Sequence, residues 1–251
     1  MNSYHNKTVI VTGAGAGMGQ EAACMFAENG ANVVVNSITQ SAGATCARIQ
    51  SAGGQALFVQ GDVGAEQDCR RIVGSAVDAF GRIDILVNAA GVVVGGSVET
   101  LRLEDWDAVM NANARGVFLM CRFAMPYLRK TRGSIVNVAS TVAIKGVKDR
   151  AAYSAAKGAV LALTRSMAAE YVGEGIRVNC VSPGTVYSPS FQRRVDSAPD
   201  PELAMRQFVA RQPMGRLGTA AEAARAIVFA AGVDLEFMTG ANIVVDGGMT
   251  V

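Results

Sequence analysis

The stretch Thr8-Val9-Ile10-Val11-Thr12-Gly13-Ala14-Gly15-Ala16-Gly17-Met18-Gly19 decides the fold. Its first five residues read as a strand, and the strand runs straight into glycines. A helix follows over Gln20 to Asn29, with Ala22, Ala23, Phe26 and Ala27 on its inner face, and Gly30 ends it. The next strand is Asn32-Val33-Val34-Val35-Asn36. Strand, glycine loop, helix and strand within about 30 residues form a βαβ unit. Missing side chains let the backbone approach a pyrophosphate, and the helix N-terminus adds free N–H groups and a positive dipole end. The unit therefore reads as a dinucleotide-binding loop. Its spacing is Thr12-Gly13-x-x-x-Gly17-x-Gly19, which differs from the Gly-x-Gly-x-x-Gly fingerprint.

The alternation continues outward from this unit. A helix over Ser41 to Ala52 precedes the strand Ala56–Gln60, which leads to Gly61-Asp62-Val63. A helix from Ala65 to Phe80 precedes the strand Ile83–Val87, which opens into Asn88-Ala89-Ala90-Gly91. A long helix over Trp106 to Lys130 is interrupted near Asn111–Gly116, where two asparagines and a glycine are poor helix formers. Residues spent in this way suggest a kink with a polar task. The strand Ser134–Val138 ends at Ala139-Ser140, and a helix then runs to Tyr171. The strand Ile176–Val181 ends in Ser182-Pro183-Gly184. Residues 185–214 are polar, proline-bearing and arginine-rich, and read as a substrate lid. A last helix, Ala220–Ala231, precedes the strand Asn242–Asp246 and Gly247-Gly248. Seven strands and six intervening helices, with no linker, predict one domain over residues 1–251. The expected architecture is α/β: a doubly wound, seven-stranded parallel sheet with helices on both faces. Its ligand site belongs at the carboxyl ends of the strands. The glycine loop, Asp62, Asn88–Gly91, Ser140 and Pro183-Gly184 all fall at such ends.

Composition removes other classes. The chain has 251 residues, of which 50% are hydrophobic, which excludes disorder. A net charge of +2 suggests neither nucleic acid nor an anionic membrane as partner. No apolar run reaches membrane-spanning length, and the opening Met1–Lys7 has no basic, then apolar, secretion pattern. Five scattered cysteines without a Cys-x-x-Cys fit reduced core thiols and a cytoplasmic setting. The one histidine, His5, lies at the N-terminus. A Ser-His-Asp triad, a buried Cys-His pair or a multi-histidine metal site cannot be built from it, and no metal is expected.

The acid/base group must therefore be another residue type, and Tyr153-Ser154-Ala155-Ala156-Lys157 supplies one. Residues four apart on a helix share a face. A tyrosine titrates near 10, too high for proton exchange at neutral pH, and a nearby ammonium favours its phenolate. Alone, such a pair is an ordinary helix surface; it gains meaning from the other motifs on the same sheet edge.

Taken together, Thr12-Gly13-x-x-x-Gly17-x-Gly19, Asn88–Gly91, Asn113, Ser140, Tyr153-x-x-x-Lys157 and Pro183-Gly184 stand in the order and spacing of the short-chain dehydrogenase/reductase family, which the chain resembles over almost its whole length. The resemblance implies hydride transfer between a nicotinamide cofactor and a secondary alcohol or ketone. It makes Tyr153 the proton donor or acceptor. Lys157 would bind the nicotinamide ribose and depress the Tyr153 pKa. Ser140 would bind the substrate oxygen, and Asn113 would hold a water relayed to Lys157. It also implies a cofactor site from Gly13, Gly15, Ala16, Gly17, Met18, Gly19, Asn36, Ser37, Asp62, Val63, Asn88, Ala89, Ala90, Gly91, Pro183, Gly184 and Val186, with Tyr153 and Lys157. Ser188 stands where the family often has a threonine touching the nicotinamide amide. Members that prefer NAD usually carry an acid after the second strand. Asn36-Ser37-Ile38-Thr39-Gln40 offers none, and Asn36, Ser37 and Thr39 can donate to a 2′-phosphate, so NADP(H) is slightly favoured over NAD(H).

Arg150, Arg193, Arg194 and Arg211 suit a carboxylate, because a guanidinium binds one as a bidentate fork. The competing reading is solvated charge or subunit ion pairs. Through Asn179-Cys180-Val181-Ser182-Pro183-Gly184-Thr185-Val186 and Pro189-Ser190-Phe191-Gln192-Arg193-Arg194, residues 146–218 resemble the subgroup containing 2-keto-3-deoxy-L-fuconate 4-dehydrogenase and cytosolic type 2 3-hydroxybutyrate dehydrogenase. That resemblance puts a substrate carboxylate on Arg150, Arg194 and Arg211, beside Ser140 and Tyr153. The expected substrate is a small hydroxy, keto or sugar acid. A general carbonyl or 3-oxoacyl-thioester reductase is the alternative, with Arg129, Lys130 and Arg132 as a basic corner for an acyl carrier and Glu174 opposing it. A non-catalytic cofactor sensor is the remote one. Val117, Phe118, Cys121 and Met125 make one helix apolar on more than one side, as do Val160, Leu161, Leu163 and Met167 another. Relatives pair these helices, so a homotetramer is expected.

Overall fold

The computed structural model describes residues 4–232 and 234–251. Met1, Asn2 and Ser3, part of the N-terminal reading above, lie outside the described residues. The strands are β1 (Thr8–Thr12), β2 (Asn32–Ser37), β3 (Gln55–Gln60), β4 (Ile85–Asn88), β5 (Ser134–Val138), β6 (Arg177–Pro183) and β7 (Asn242–Val245). All pair in parallel in the order β3-β2-β1-β4-β5-β6-β7. This is the expected doubly wound sheet, and its strand order reverses between β1 and β4, where such sheets open a crevice.

Helices α1 (Gly17–Glu28), α2 (Ser41–Ser51), α3 (Glu66–Phe80), α4 (Leu103–Met110), α5 (Gly116–Thr131) and α6 (Ala151–Tyr171) follow in chain order, with α7 (Pro189–Asp196), α8 (Pro201–Ala210) and α9 (Ala220–Ala231) after them. The central strands are apolar on both faces, as burial beneath two helical layers requires. One core joins Ile10, Val34, Leu86 and Ile135 to Ile72 of α3, Met120 of α5 and Val160 of α6. The other joins Val9, Val11, Val33 and Val87 to Phe26 of α1, Ile49 of α2 and Ile227 of α9.

Two expectations change. The long helix breaks into α4, a π-helical turn over Asn111–Arg115, and α5. The interrupting Asn-Ala-Asn-Ala-Arg thus takes up an extra residue without leaving the helical path, and π turns of this kind concentrate at functional sites. Residues 185–214 are not one polar loop: Pro189 and Pro201 open two short helices, capped by Ser188 and Asp200. The remaining shifts are of a few residues. Helix α1 begins at Gly17, three residues before the expected start, and β4 begins at Ile85 because Asp84 is held by Thr8 N and Arg82. All five cysteines are buried and unpaired. No helix among the described residues is long and apolar enough to cross a membrane.

Candidate active site

Register sets the edge on which the site forms. Thr12 pairs with Asn88, Asn88 with Asn137, and Val138 with Val181, so four central strands end together. Buried polar side chains lock them. Thr12 Oγ1 donates to Val87 O and accepts from the N–H groups of Ala89 and Ala90 at 3.1 and 3.2 Å. Asn88 Nδ2 donates to Asn137 Oδ1 at 2.9 Å, and Asn137 Nδ2 to Thr164 Oγ1 at 2.9 Å. These bonds hold the glycine loop against Asn88–Gly91.

The glycines have separate jobs. Gly13 and Gly17 have φ near +66° and +60°, a region costly for other residues. A Cβ on Gly13 would also meet the backbone of Ala90 at 2.6 Å. The N-cap of α1, Ala16, has no side chain to cap it, and the first turn carries no acid. Its N–H groups and positive end are therefore left for a ligand, over a cavity of about 480 Å³ lined by Gly13, Gly15, Ala16, Gly17, Met18 and Gly19. Asp62, Val63, Ala89, Ala90, Gly91, Pro183, Gly184, Val186 and Ser188 border the same cavity. Asp62 Oδ1 accepts from Gly64 N at 2.8 Å. Asn88 itself is buried behind this lining in the amide chain. An uncapped, acid-free helix end in a long glycine-floored cleft fits a dinucleotide pyrophosphate.

The second strand departs from the expected donor set. Asn36 is buried, and Nδ2 donates to Val59 O and Gly61 O, both at 3.0 Å. Both amide hydrogens are spent tying β2 to the loop after β3. Ser37 Oγ donates to Thr39 O at 2.7 Å and accepts from Ala42 N at 3.0 Å; Thr39 Oγ1 lies 3.1 Å from Ser41 Oγ. The donors assigned to a 2′-phosphate are therefore engaged within the protein, Asn36 fully so.

Tyr153 and Lys157 stand one turn apart on α6 and border the cavity. Lys157 is buried, and Nζ donates to Val138 O, at the end of β5, at 2.7 Å. Burial pushes the ammonium pKa down to about 8. Tyr153 is pushed upward by burial; its hydrogen bond with Ser140 and the charges of Arg194 and Arg150 oppose this. The resemblance assigned that pull to Lys157. Here Lys157 Nζ turns to the β5 carbonyl and lies 5.7 Å from the Tyr153 ring centroid, while the arginines and Ser140 favour the phenolate. Ser140 lies two residues beyond the end of β5 and caps the short turn Thr141–Ala143, with Oγ accepting from Val142 N at 3.4 Å.

Asn113 sits in the π turn. Nδ2 donates to Val92 O at 2.9 Å and Val109 O at 2.8 Å, and Oδ1 is buried without a partner among the described residues. A Cβ on Gly91 would fall 2.3 Å from that oxygen and 3.6 Å from Lys157 Nζ. Gly91 thus keeps a small space open between Asn113 and Lys157.

Arg150 is the N-cap of α6; Arg194 lies on α7, and Arg211 ends α8. All three border the cavity with Tyr153, and none has an acidic partner within 4.0 Å among the described residues. Burial lowers the pKa of all three; Arg150 and Arg211 repel Arg194 and Arg150 repels Arg211, while Asp149 and Tyr153 partly offset the burial of Arg150. Arg194 Nε is buried without a partner. Its guanidinium lies 5.2 Å from the Phe208 ring centroid, and that of Arg211 lies 4.6 Å from the same ring. Arg193 also borders the cavity, exposed at its mouth. Ser188 Oγ caps α7 by accepting from Phe191 N at 3.2 Å, and a Cβ on Gly17 would lie 3.2 Å from Ser188 Cβ, so α7 begins over the glycine loop. Arg216 forks onto Glu222 at 2.7 and 2.9 Å, away from the cavity.

Three cavity residues carry no motif. Phe191 and Phe208 form the aromatic floor under Arg194; the three-residue step from Phe208 to Arg211 on one helix was the visible signal. Met249 reaches back from the chain's end, bonded by Lys145 Nζ to Met249 O at 2.6 Å and by Thr141 Oγ1 to its sulfur at 3.4 Å. Nothing local in the sequence announces it.

Residues 13–250 match the family model described as enoyl-(acyl carrier protein) reductase. The chain is 46% identical over 250 residues to an uncharacterized oxidoreductase of Thermotoga maritima, covering 99% of both chains. It is 39% identical over 251 residues to 2-(R)-hydroxypropyl-CoM dehydrogenase of Xanthobacter autotrophicus, covering 98% of this chain and 99% of that one. The crystal structure of a chain described as a short-chain dehydrogenase/reductase from Burkholderia xenovorans superposes with a TM-score of 0.95 at 35% identity, over 99% of this chain and 98% of the other. With near-complete coverage in sequence and in structure, the chain belongs to the short-chain dehydrogenase/reductase family of oxidoreductases.

Proposed function

We propose that this chain transfers a hydride between a nicotinamide cofactor and the alcohol or carbonyl carbon of a small hydroxy, keto or sugar acid. The observation that carries the acid is the unpaired set Arg150, Arg194 and Arg211 around Tyr153. Uncompensated, half-buried guanidiniums are costly unless an anion completes them. The Xanthobacter relative, named for a 2-hydroxypropyl substrate, supports a secondary alcohol as the reacting group.

The α1 N-terminus and glycine loop would hold the pyrophosphate of a nicotinamide dinucleotide, which would supply or accept the hydride when bound. In reduction, the Tyr153 O–H gives its proton to the substrate oxygen; in oxidation, the phenolate takes it back. Ser140 Oγ, hydrogen-bonded with Tyr153, holds the same oxygen. Lys157 would meet the cofactor ribose, and Asn113 Oδ1, unpartnered in the space Gly91 leaves, would accept a hydrogen bond there. The segment 185–214 acts as a lid, bringing Arg194 and Arg211 over the substrate. Residues 36–41, at and after the end of β2, carry no charged side chain that would reject either NADP(H) or NAD(H). The lean to NADP(H) rests on the missing acid at Ser37.

An acyl-carrier substrate is less favoured. Arg129 is held by Glu174 at 2.5 Å, and Lys130 lies 5.6 Å from the Tyr127 ring centroid. The basic corner is thus partly neutralised. Leu103, Trp106 and Phe118 are exposed on α4 and α5, a face that a second copy in the proposed homotetramer would cover. A monomeric mass in light scattering would end that assembly.

A substrate screen over hydroxy acids, sugar acids, ketones and acyl thioesters with both cofactors tests the reading. Arg150→Ala and Arg194→Ala should raise KM for an acid by orders of magnitude and spare cofactor affinity. Unchanged kinetics in both would remove the acid from the proposal.

A further inference from the structure

Met249 is buried, with 5% of its surface exposed, yet among the described residues it packs into none of the apolar cores. Its side chain borders the cavity instead. The backbone that carries it is fixed. Asp246, just beyond β7, accepts through Oδ1 from Gly248 N at 2.9 Å, and through Oδ2 from Thr250 N and Thr250 Oγ1 at 2.9 and 2.7 Å. Gly247 O accepts from Met214 N at 3.0 Å, and Lys145 Nζ donates to Met249 O at 2.6 Å. A Cβ on Gly247 would lie 3.3 Å from Gln212 Cβ, and one on Gly248 3.3 Å from Pro213 Cγ. Segment 246–250 is thus clamped between the turn after β5 and the end of segment 185–214.

On this fixed backbone the Met249 side chain is loosely held. Its sulfur accepts one weak hydrogen bond, from Thr141 Oγ1 at 3.4 Å. A methionine has three rotatable bonds with which to fill whatever space a neighbour leaves. Thr141 follows Ser140, which is hydrogen-bonded with Tyr153. The sulfur therefore stands one residue away from the pair to which the proposed function assigns the reacting oxygen. A secondary alcohol carries two carbon substituents. The acid-bearing one is assigned above to the arginines, whose charges reach Tyr153 from α6 and α7. The other substituent is left to the side of Ser140 where Thr141, Val142 and Met249 border the cavity.

We propose that Met249 is a specificity-determining residue, whose side chain limits the length of the uncharged substituent on the reacting carbon. The proposal rests on the hydroxy-acid reading above and extends it from the acid-bearing arm to the opposite one. Thr141 and Lys145 are its positioning residues: one holds the sulfur and the other the backbone.

Steady-state oxidation of two graded series with NADP⁺, repeated with NAD⁺, tests this. The probes are 2-hydroxy and 3-hydroxy acids bearing a methyl, ethyl or propyl group on the carbinol carbon, so that each series keeps its carboxylate spacing and changes one arm. In the wild type, kcat/KM should fall at least about tenfold with each added carbon, the range in which a fitted apolar pocket discriminates by one methylene. Met249→Ala should raise the propyl-to-methyl ratio of kcat/KM at least about tenfold. Met249→Leu, which conserves volume, should keep the wild-type order. Should Met249→Ala fail to fold, Met249→Val shortens the same side chain and reads the same ratio. A uniform fall across a series, with the ratio unchanged, overturns the proposal, because the methionine then only supports the fold. Equal kcat/KM for all three members in the wild type overturns it as well and leaves the hydroxy-acid reading standing. If no member of either series is oxidised with either cofactor, the hydroxy-acid reading falls and takes the proposal with it.

Discussion

Lys157 donates through Nζ to the backbone oxygen of Val138 at 2.7 Å, and among the described residues this is its only hydrogen bond to the protein. One neutral carbonyl does not offset the burial of a full charge. The ammonium pKa falls accordingly from 10.5 to about 8. A lysine whose folded pKa is depressed costs stability wherever both states are protonated, and the cost is relieved as pH rises from the folded toward the unfolded value. The full cost is on the order of 3 kcal/mol below pH 8, reduced by the hydrogen bond, which contributes about 1 kcal/mol. Lys157→Met should therefore be as stable as the wild type or more so near neutral pH, by up to about 2 kcal/mol. The wild type should gain on the variant above pH 8. Urea denaturation of both at neutral and alkaline pH reads the difference, and a difference independent of pH would refute the account. Activity should fall at least about 100-fold, because the group proposed to meet the cofactor ribose is gone.

Tyr153 is tuned by groups to which the proposed function also assigns the substrate. Burial raises its pKa, and Ser140, Arg194 and Arg150 pull it back. Arg194→Gln removes one of these charges, so the phenolate needed for alcohol oxidation forms only at higher pH. The acidic limb of kcat against pH should move upward by roughly one unit, measured at saturating substrate so that lost binding does not enter. Tyr153→Phe should lower kcat by about 10² to 10⁴ with little change in cofactor affinity. An Arg194→Gln profile that overlays the wild type would mean that the arginine only binds.

The seven strands and the sheet edge on which the candidate site forms were legible in the sequence because each depends on local pattern. Apolar runs punctuated by glycine mark parallel strands, and the residues after each strand fall on one edge whatever the helices do. Asn113 was visible as an oddity inside a helix, though a π turn depends on what its carbonyls and amides meet in space. Asn36 shows the opposite case. As a residue type it is a fitting phosphate donor, but its amide is consumed by Val59 O and Gly61 O, contacts that pairing with β3 creates. The two helices in 185–214 were hidden by polarity. Their caps, Ser188 with Pro189 and Asp200 with Pro201, were readable in retrospect, whereas Met249 enters the cavity only through tertiary contact.

Asn36-Ser37-Ile38-Thr39-Gln40-Ser41, at and after the end of β2, carries no charged side chain. Ser37 ends β2 with its hydroxyl turned to Thr39 O and Ala42 N. The wild type should discriminate between NADP and NAD by less than about tenfold in kcat/KM. Ser37→Asp places a carboxylate that accepts from ribose hydroxyls and repels a phosphate. It should favour NAD by about 100-fold or more, through the affinity for NADP rather than through kcat. Fluorescence titration of each cofactor reads this directly. Unaltered NADP binding in Ser37→Asp would place the ribose elsewhere.

Gly91 is required by Asn113 rather than by its own backbone, which has no left-handed φ. A methyl group there would lie 2.3 Å from Asn113 Oδ1 and 3.4 Å from its Cγ. Asn113 cannot swing aside cheaply, because both Nδ2 hydrogens are bonded, to Val92 O and Val109 O. Gly91→Ala should therefore cost about 1–3 kcal/mol, the usual range for overpacking. It should also lower kcat, since the displaced oxygen no longer faces Lys157. Asn113→Ala alone should lose stability through the two orphaned carbonyls. The informative measurement is the double variant. Once the asparagine oxygen is gone, the added methyl has room, so Gly91→Ala should cost almost nothing in the Asn113→Ala background. A coupling of about 1 kcal/mol or more in that cycle is the signature of direct contact. Additive costs would mean that Gly91 is kept for the bound cofactor and not for the asparagine.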